Sequence, residues 1–383
     1  MPIDLEALTN DPHPVLRACR ESSPVLWVDE LDGWLVTGYD EAVQVLKDSG
    51  TFTVQDARFS TARLTGESML TVDGAAHSRH RGAFAAPYRP AAIRQRLTEA
   101  TRRIADGLVV ARADRASIEV LSELAQPLAI AVLAETLGLP RTSAAEVVEW
   151  HHLLAAAFEA DAAGRPAAVP TRALDELRSR VLETVRRTEA SPLLDAATSG
   201  ADPLTVEETV GNLAIMMIGG VETVEGMIAH AVQYLWRRGA DPLAESPDAL
   251  DERAVDRAIE ESLRIEPAAA RLDRYATTDI QIGAAQIRRG DLVMVSVSGA
   301  NRDPRQFADP DTFNPDRANL TRQLGFALGP HYCLGVHLAR LEAREAIFAL
   351  RRHLPEAHLD VRRSETPVGL IFRKPRRLTL AVR

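Results

Sequence analysis

The sequence predicts a mainly α-helical protein that carries small β-sheets near both ends of the chain. Apolar residues recur every three or four positions over 90–264 and again over 335–353, which is the spacing of one buried helix face. Strand-forming residues are confined to three places, near 33–38, 279–297 and 357–382, where they alternate or are bounded by glycines and charged turns. These patterns make helices the bulk of the fold and leave the sheets short.

The individual elements have local signals. Gly and Pro clusters separate the periodic segments, and such clusters mark turns and loops. The predicted elements outside the helical bulk are the strands Gly33–Thr37, Asp279–Ile282 and Asp291–Val297, the helix Tyr39–Lys47, and the loops Asp161–Pro170 and Ala197–Pro203.

Composition excludes several classes of protein. The chain has 383 residues, of which 46% are hydrophobic, and its net charge of -9 comes from charges interspersed along the whole length, so nucleic-acid binding is not expected. Its two cysteines, Cys19 and Cys333, cannot form a disulfide framework, which indicates a reducing compartment. The first residues lack the apolar core of a signal peptide, and Gly211–Val221 is shorter than the roughly 20 residues that span a bilayer. We expect a cytoplasmic protein with no membrane anchor.

A long helix is predicted in the middle of the chain. Thr205 and Glu208 form a capping box, the apolar period continues to Arg238, and Gly239 ends it. At 1.5 Å per residue the helix would span roughly 50 Å, enough to cross a whole domain.

The segment Phe326–Gly335 places Cys333 in a glycine-punctuated loop directly before an amphipathic helix. Free N–H groups and the positive end of the helix dipole favour a thiolate there, and a thiolate is what a metal would need. The alternative is a buried free cysteine before a helix, which is a common arrangement.

This segment resembles the cysteine loop of the cytochrome P450 family, F-G-x-G-x-H-x-C-x-G. Phe326, Gly329, His331, Cys333 and Gly335 match that pattern, whereas Ala327 stands where a glycine is usual. The resemblance implies the cytochrome P450 fold as a single domain over 1–383, with haem b (iron protoporphyrin IX) bound between the long helix and the helix after the loop. It makes Cys333 the metal ligand and puts the local geometry at Ala327 in doubt.

Further motifs follow in the family's order. Glu261 and Arg264 match E-x-x-R, and the resemblance makes Arg317 their third, structural partner. Asn301-Arg-Asp-Pro304 with Phe307, Pro310 and Phe313 matches a family stretch to which we assign no chemistry.

Four side chains are candidate partners of the haem propionates. His77 and Arg81 lie at i,i+4 on one helix face and match the family's H-x-x-x-R, and Arg274 and His331 match two further positions. Without the cysteine loop, solvated surface charges would be the better interpretation. The other expected cofactor contacts are Gly219, Phe326 and Gly335.

Gly219, Glu222 and Thr223 match the oxygen-activation motif A/G-G-x-E/D-T-T/S, with Val224 in place of the second hydroxyl residue. Adjacent glycines inside a helix cost about 1 kcal/mol each relative to alanine, which suits a helix that must bend or be approached closely. The alternative is a packing site for a crossing helix, with Thr223 bonded back to an upstream carbonyl. The resemblance makes both side chains catalytic: Thr223 would hold water or dioxygen, and Glu222 would relay protons.

The resemblance implies a monooxygenase that hydroxylates or epoxidises a small, hydrophobic organic substrate with dioxygen, within secondary metabolism. Oxidative coupling, desaturation and peroxide-driven oxidation on the same fold are alternatives, and a haem sensor without turnover is another. Expected pocket walls are Gly50–Asp73, Ile215, Ile218, Gly219, Ala268–Arg271 and a stretch near Ile371. Arg271 could recognise a substrate carboxylate, although a surface role suits it better.

Electrons are expected from a separate protein, because the chain has no glycine-rich dinucleotide fingerprint after a strand and no room for a flavin domain. The resemblance suggests a ferredoxin or a flavodoxin with its NAD(P)H-dependent reductase, acting on a monomer. The arginines that could form a basic docking face are Arg94, Arg96, Arg340 and Arg344; scattered solvated arginines are the alternative.

Overall fold

The computed structural model describes residues 3–162, 164–187, 191–199, 202–236 and 251–382. Helices dominate these residues. In chain order they are α1 (Leu5–Asn10), α2 (Pro12–Ser22), α3 (Tyr39–Lys47), α4 (Ser60–Thr65), α5 (Gly74–Ala85), α6 (Pro90–Arg96), α7 (Thr98–Val110), α8 (Gln126–Leu137), α9 (Ala144–Ala162), α10 (Thr171–Arg187), α11 (Pro192–Thr198), α12 (Val206–Trp236), α13 (Glu252–Ile265), α14 (Val297–Ala300) and α15 (Val336–His353).

The strands are short. They are β1 (Val25–Val28), β2 (Gly33–Val36), β3 (Phe52–Thr53), β4 (Ser117–Glu119), β5 (Arg271–Ala276), β6 (Ile280–Ile282), β7 (Ala285–Ile287), β8 (Leu292–Ser296), β9 (His358–Leu359) and β10 (Thr379–Ala381). A five-stranded sheet has the order β1-β2-β8-β5-β3, in which β2 and β8 run parallel and the other pairs antiparallel. A three-stranded sheet has the order β4-β10-β9, and β6 and β7 form a hairpin.

Most predicted elements are confirmed within a residue or two. β2, α3, β6 and β8 lie where the strands near 33–38 and 279–297 and the helix Tyr39–Lys47 were expected, and α15 covers almost all of 335–353. The predicted helical bulk over 90–264 is interrupted at Ser117–Glu119, which forms β4. Its partner β10 comes from the other end of the chain, so tertiary pairing and not local propensity decides this strand.

The central helix α12 is the prediction that the structure supports best. The Thr205 N–H donates to Oε2 of Glu208 over 2.7 Å, and the Glu208 N–H donates to Oγ1 of Thr205 over 3.2 Å, which is the expected capping box. The predicted end at Arg238 and Gly239 lies outside the described residues. By length and composition α12 could cross a membrane, but 78% of its apolar window is buried inside the protein against α8, α13 and α15.

A buried charge cluster connects α13 to the loop that precedes the cysteine segment. Arg264 donates two hydrogen bonds to the Glu261 carboxylate, over 2.7 and 2.8 Å, and both side chains are fully buried. Arg317 adds a 2.9 Å bond to the same carboxylate, which confirms it as the third partner. Arg264 also donates to the backbone carbonyls of Asn301 and Pro310. Because these ions are compensated on all sides, they hold irregular backbone in one arrangement.

Candidate functional site

Cys333 lies in a loop between a single 3-10 turn at Gly329–His331 and the start of α15. Its N–H donates to the Phe326 carbonyl over 2.9 Å, which closes the loop on itself. Gly329 has φ +73°, and a Cβ there would lie 2.5 Å from the Leu46 carbonyl oxygen. Only glycine allows the loop to approach the end of α3 so closely.

Opposing effects act on the pKa of the Cys333 thiol. Burial raises the pKa of the Cys333 thiol, whereas the Gly335 N–H and the charges of Arg81 and Arg340 lower it. In the protein alone burial outweighs these groups, and the thiolate that the loop is expected to favour stays a prediction. A bound metal cation would supply the missing positive charge, because a coordinating thiol is deprotonated by the ion that it binds.

His77 and Arg81 of α5 lie beside the cysteine loop, as their spacing predicted. The His77 ring centroid is 4.5 Å from that of His331. Burial, aided by the charges of His331 and Arg81, lowers the pKa of His77 to about 4, and its buried Nε2 has no hydrogen-bond partner among the described residues. Arg81 is half-buried and close enough to Cys333 for the sulfur's charge to raise its pKa against burial.

The opposite side of α5 attaches it to the start of α12. Arg79 forms an ion pair with Glu208, and Nδ1 of His80 is 2.9 Å from Nδ2 of Asn212. The Asn212 amide is oriented by the Met69 N–H, which donates to its Oδ1 over 2.8 Å. This contact sets the rotation of α5, so that His77 and Arg81 are directed to the cysteine loop.

Sequence reasoning missed Asp73, which joins three parts of the site. Its carboxylate accepts hydrogen bonds from Oγ1 of Thr53 over 2.6 Å, from the Val54 N–H over 2.9 Å, and from Nε2 of His331 over 2.8 Å. These donors outweigh burial and lower the pKa of Asp73 to about 2. Its position directly before α5 was the available signal, because aspartate is favoured before a helix.

Arg274 completes the cluster from β5. It is 4% exposed, and its Nη1 donates to the Asp273 carbonyl over 2.8 Å. Burial lowers the pKa of Arg274, while the nearby Asp73 carboxylate raises it.

Several hydrogen-bond donors of these side chains have no acceptor among the described residues. Among the described residues Arg81 has no acidic hydrogen-bond partner, Arg274 donates only to a backbone carbonyl, and His77 has an unpartnered ring nitrogen. Buried cationic groups require anionic partners. These unused donors fit a ligand that carries carboxylates and lies next to the Cys333 sulfur. A porphyrin with two propionates has this chemistry.

On α12 the two glycines have different surroundings. Gly219 is exposed in the middle of a mostly buried helix, and a Cβ there would meet no atom within 4 Å. At Gly220 a Cβ would lie 3.6 Å from a Leu133 methyl group of α8, which packs against α12. The alternative of a packing site for a crossing helix is therefore wrong at Gly219 but is borne out at Gly220. Thr223 donates its hydroxyl to the Gly219 carbonyl over 2.6 Å, as predicted, and the helix continues through both residues.

Glu222, next to Thr223, lies in an ion-pair network on another face of α12. Its Oε2 accepts a 2.7 Å hydrogen bond from Nζ of Lys374, and its Oε1 is 3.2 Å from Nε2 of His151, at an angle unsuited to a hydrogen bond. These two groups outweigh burial and lower the pKa of Glu222 to about 2. The acid and the alcohol of the motif are thus adjacent in sequence but have different surroundings.

Several residues that were expected to line the substrate pocket are buried in the core or already ion-paired. Ile215 and Ile218 are buried in the core, whereas Gly219 is exposed. Arg271 forms a 2.9 Å ion pair with Asp273, so its charge is already compensated.

Two of the four arginines that were expected to form the docking face are ion-paired. Arg340 and Arg344 form ion pairs with Glu260 and Asp256 of α13, over 2.6 and 2.7 Å. Their charges are therefore largely neutralised, and the prediction that they contribute to a basic face is wrong.

Comparisons with known proteins agree with this geometry. A model of the family described as Cytochrome P450 matches residues 253–354. The chain is 33% identical to the cytochrome P450 monooxygenase PikC of Streptomyces venezuelae, over 94% of this chain and 88% of that protein. It is 31% identical to nocardicin C N-oxygenase of Nocardia uniformis subsp. tsuyamanensis, over 95% of this chain and 94% of that protein. The crystal structure of HmtN, a post-tailoring hydroxylase involved in himastatin biosynthesis, superposes with a TM-score of 0.85 at 27% identity and covers 98% of both chains.

The loop makes a stability prediction at Ala327, which has φ +58°. A side chain costs about 1 kcal/mol or more in this left-handed region, whereas glycine adopts it freely. Ala327→Gly should therefore raise the free energy of unfolding by about 0.5–1 kcal/mol, measured by urea denaturation. Ala156→Gly, at an exposed position inside α9, is the matched control and should lower it by about 1 kcal/mol. Equal losses in both variants would show that the loop does not adopt this conformation.

Proposed function

The chain belongs to the cytochrome P450 family and is a monooxygenase of that family, and on that premise we propose which residues hold the cofactor and move protons, and what the substrate and partners are. The observation that carries the proposal is the half-buried Cys333 sulfur beside a surplus of cationic side chains. We propose haem b as the cofactor and the whole chain, 1–383, as one catalytic domain.

Cys333 would bind the haem iron. His77, Arg81, Arg274 and His331 would hold the propionates, which supply the anionic partners that the first three lack; His331 already contacts Asp73. Phe326 and Gly335 frame the sulfur, because Cys333 bonds to the Phe326 carbonyl and a Cβ at Gly335 would lie 4.0 Å from Sγ. Gly219 leaves room on the other side, at the centre of α12. When bound, a thiolate-ligated haem supplies dioxygen activation and the transfer of one oxygen atom to a substrate.

Thr223 and Glu222 would handle water and protons. The Thr223 hydroxyl donates its hydrogen to the Gly219 carbonyl, so its oxygen can accept a hydrogen bond from a water molecule; it can donate to dioxygen only by leaving that carbonyl. Glu222 would bring protons to that hydroxyl from its ion-pair network. This pair suits the protonation of dioxygen, which favours a dioxygen-driven oxidation over a peroxide-driven one and over a haem sensor without turnover. Oxygen insertion is the reaction that we propose, and oxidative coupling and desaturation are its alternatives.

The substrate that we propose is a small, hydrophobic organic molecule of secondary metabolism, since relatives include a nocardicin N-oxygenase and a himastatin hydroxylase. The proposed walls of the substrate pocket are those expected from the sequence, except that Arg271 is left out because it is ion-paired. Of the wall residues on α12, Gly219 is the exposed one.

We propose a ferredoxin or flavodoxin, with its NAD(P)H-dependent reductase, as the electron donor to a cytoplasmic monomer. Arg94 and Arg96 of α6 are exposed, and α6 packs against α15, next to the cysteine loop. The charges of Arg94 and Arg340 help to lower the pKa of His337, which places Arg94 beside the start of α15. This short basic surface suits an acidic partner.

Thr223→Ala tests the function. Without the hydroxyl, protons reach dioxygen less selectively, so we expect product per NAD(P)H consumed to fall roughly ten-fold while hydrogen peroxide rises. The assay uses a hydrophobic compound chosen from a panel because it changes the haem absorbance. Thr209→Ala is the matched control, since Thr209 makes the same bond to a carbonyl four residues back on α12, over 2.8 Å. Full coupling in the Thr223 variant would contradict the dioxygen mechanism.

Arg96→Glu tests the docking surface. We expect the association rate with a reduced, acidic ferredoxin to fall by about ten-fold at low salt, and this difference should shrink as salt is added. Arg186→Glu, at an exposed position of α10, reverses a charge elsewhere and should change the rate little. An equal effect of both variants would indicate that only the net charge matters.

A further inference from the structure

Glu222 belongs to a buried cluster of four titratable side chains. It joins α9, α12 and the segment that precedes β10. Nζ of Lys374 donates to Glu222 over 2.7 Å and to Glu225 over 2.5 Å, and His151 of α9 lies 3.2 Å from the other oxygen of Glu222. The order of contacts is therefore His151, Glu222, Lys374, Glu225.

A glycine brings Lys374 against α12. A Cβ at Gly226 would lie 2.9 Å from the Ala268 Cβ and 3.1 Å from the Arg373 carbonyl oxygen, so the chain before β10 can pack here only against glycine. The adjacent Arg373 is held by a 2.7 Å hydrogen bond to the buried Glu266 carboxylate. Lys374 thus reaches both carboxylates from a rigid backbone.

The charges of the cluster leave one proton to be placed. Lys374 carries one positive charge and faces two carboxylates, so the buried group is neutral only with one further proton on Glu222, Glu225 or His151. Glu222 has contacts to both Lys374 and His151, which lower its pKa to about 2, whereas burial raises the pKa of Glu225. When neighbouring carboxyls are pushed apart in this way, the one with the raised pKa is the proton carrier.

Solvent reaches the cluster from the Glu225 side. A surface cavity of about 320 Å³ is lined by polar side chains, among them Ser122, Gln126, Glu225, Lys374, Arg376 and Arg377. The Lys374 side chain is 26% exposed, compared with 6% for Glu225 and 12% for Glu222. Water in this cavity can therefore exchange protons with the Lys374–Glu225 pair.

We propose that Glu225 is the proton donor that reloads Glu222, through Lys374, from this cavity; the proposal rests on the function proposed for Glu222 and Thr223. In one step the Lys374 ammonium gives a proton to the Glu222 carboxylate and takes one from the Glu225 carboxylic acid. Lys374 ends as it began, Glu222 is protonated, and Glu225 is left as a carboxylate. Bulk solvent then supplies a proton to Glu225 as hydronium or buffer acid, relayed through the cavity water so that no hydroxide is left behind, and Glu222 passes its own proton towards Thr223.

A second path would enter through α9. His152 is exposed, and its ring centroid lies 5.8 Å from that of His151, which contacts Glu222. The two paths share Glu222 but differ in their first residue, so variants at Glu225 and His152 distinguish them.

The first test needs no turnover. Infrared spectra of the holoprotein at pH ~6, well above the ordinary glutamate pKa of about 4.3, should show the C=O band of a buried carboxylic acid that is lost in Glu225→Gln. Glu342→Gln is the matched control, because Glu342 is also buried with a raised pKa and should account for a different band. A band that is unchanged in the Glu225 variant would overturn the proposal.

The second test follows protons during turnover. With the same panel compound, Glu225→Gln should lower the rate of product formation roughly ten-fold and enlarge the rate difference between H2O and D2O, while Glu225→Asp recovers part of the loss. Glu207→Gln, at an exposed position of α12, should change neither quantity. A loss in His152→Gln without one in Glu225→Gln would overturn the proposal in favour of the α9 path. If the proposed function itself fails, Thr223→Ala remains fully coupled, and the infrared band still decides where the proton lies.

Discussion

The surroundings of the half-buried Cys333 sulfur are the constraint on which the site depends. Partial burial disfavours ionisation of the thiol, and the two arginines and the backbone N–H beside it do not by themselves overcome that cost. A cation at bonding distance would make the thiolate the favoured form, which suits the proposed role of the loop as a metal ligand better than that of a free nucleophile. His77, Arg81 and Arg274 have donors with few described acceptors, and an anionic cofactor would supply them.

The central helix α12 separates two environments within a few residues. On one face Gly219 and Thr223 are open, with a hydroxyl held at a carbonyl. On another face Glu222 and Glu225 share Lys374 in a buried network that meets a surface cavity. Because neighbouring residues of α12 face different sides, the proposed oxygen site and the proposed proton supply can lie on one helix without sharing a surface. Gly226 serves this arrangement by allowing the Lys374 segment to pack closely.

Features encoded by residues close in sequence could be predicted, and features made by distant residues could not. The capping box at Thr205 and Glu208 and the Glu261–Arg264 pair follow from spacings of three residues, and both are confirmed. The strand Ser117–Glu119 and the Glu225–Lys374 contact depend on partners from the far end of the chain, in the second case 149 residues away. No local sequence pattern predicts such contacts. The expectation that Arg340 and Arg344 contribute to a basic face was wrong for the same reason, because carboxylates of α13 neutralise them.

The central claim is that the sulfur of Cys333 binds the iron of haem. The most direct measurement is the absorption spectrum of the haem-loaded protein after reduction and addition of carbon monoxide. We expect the far red-shifted band that thiolate ligation produces, its loss in Cys333→Ser, and its retention in Cys19→Ser, which removes the other free cysteine. A protein that stays colourless with haem, or a Cys333→Ser variant that keeps the shifted band, would contradict the account.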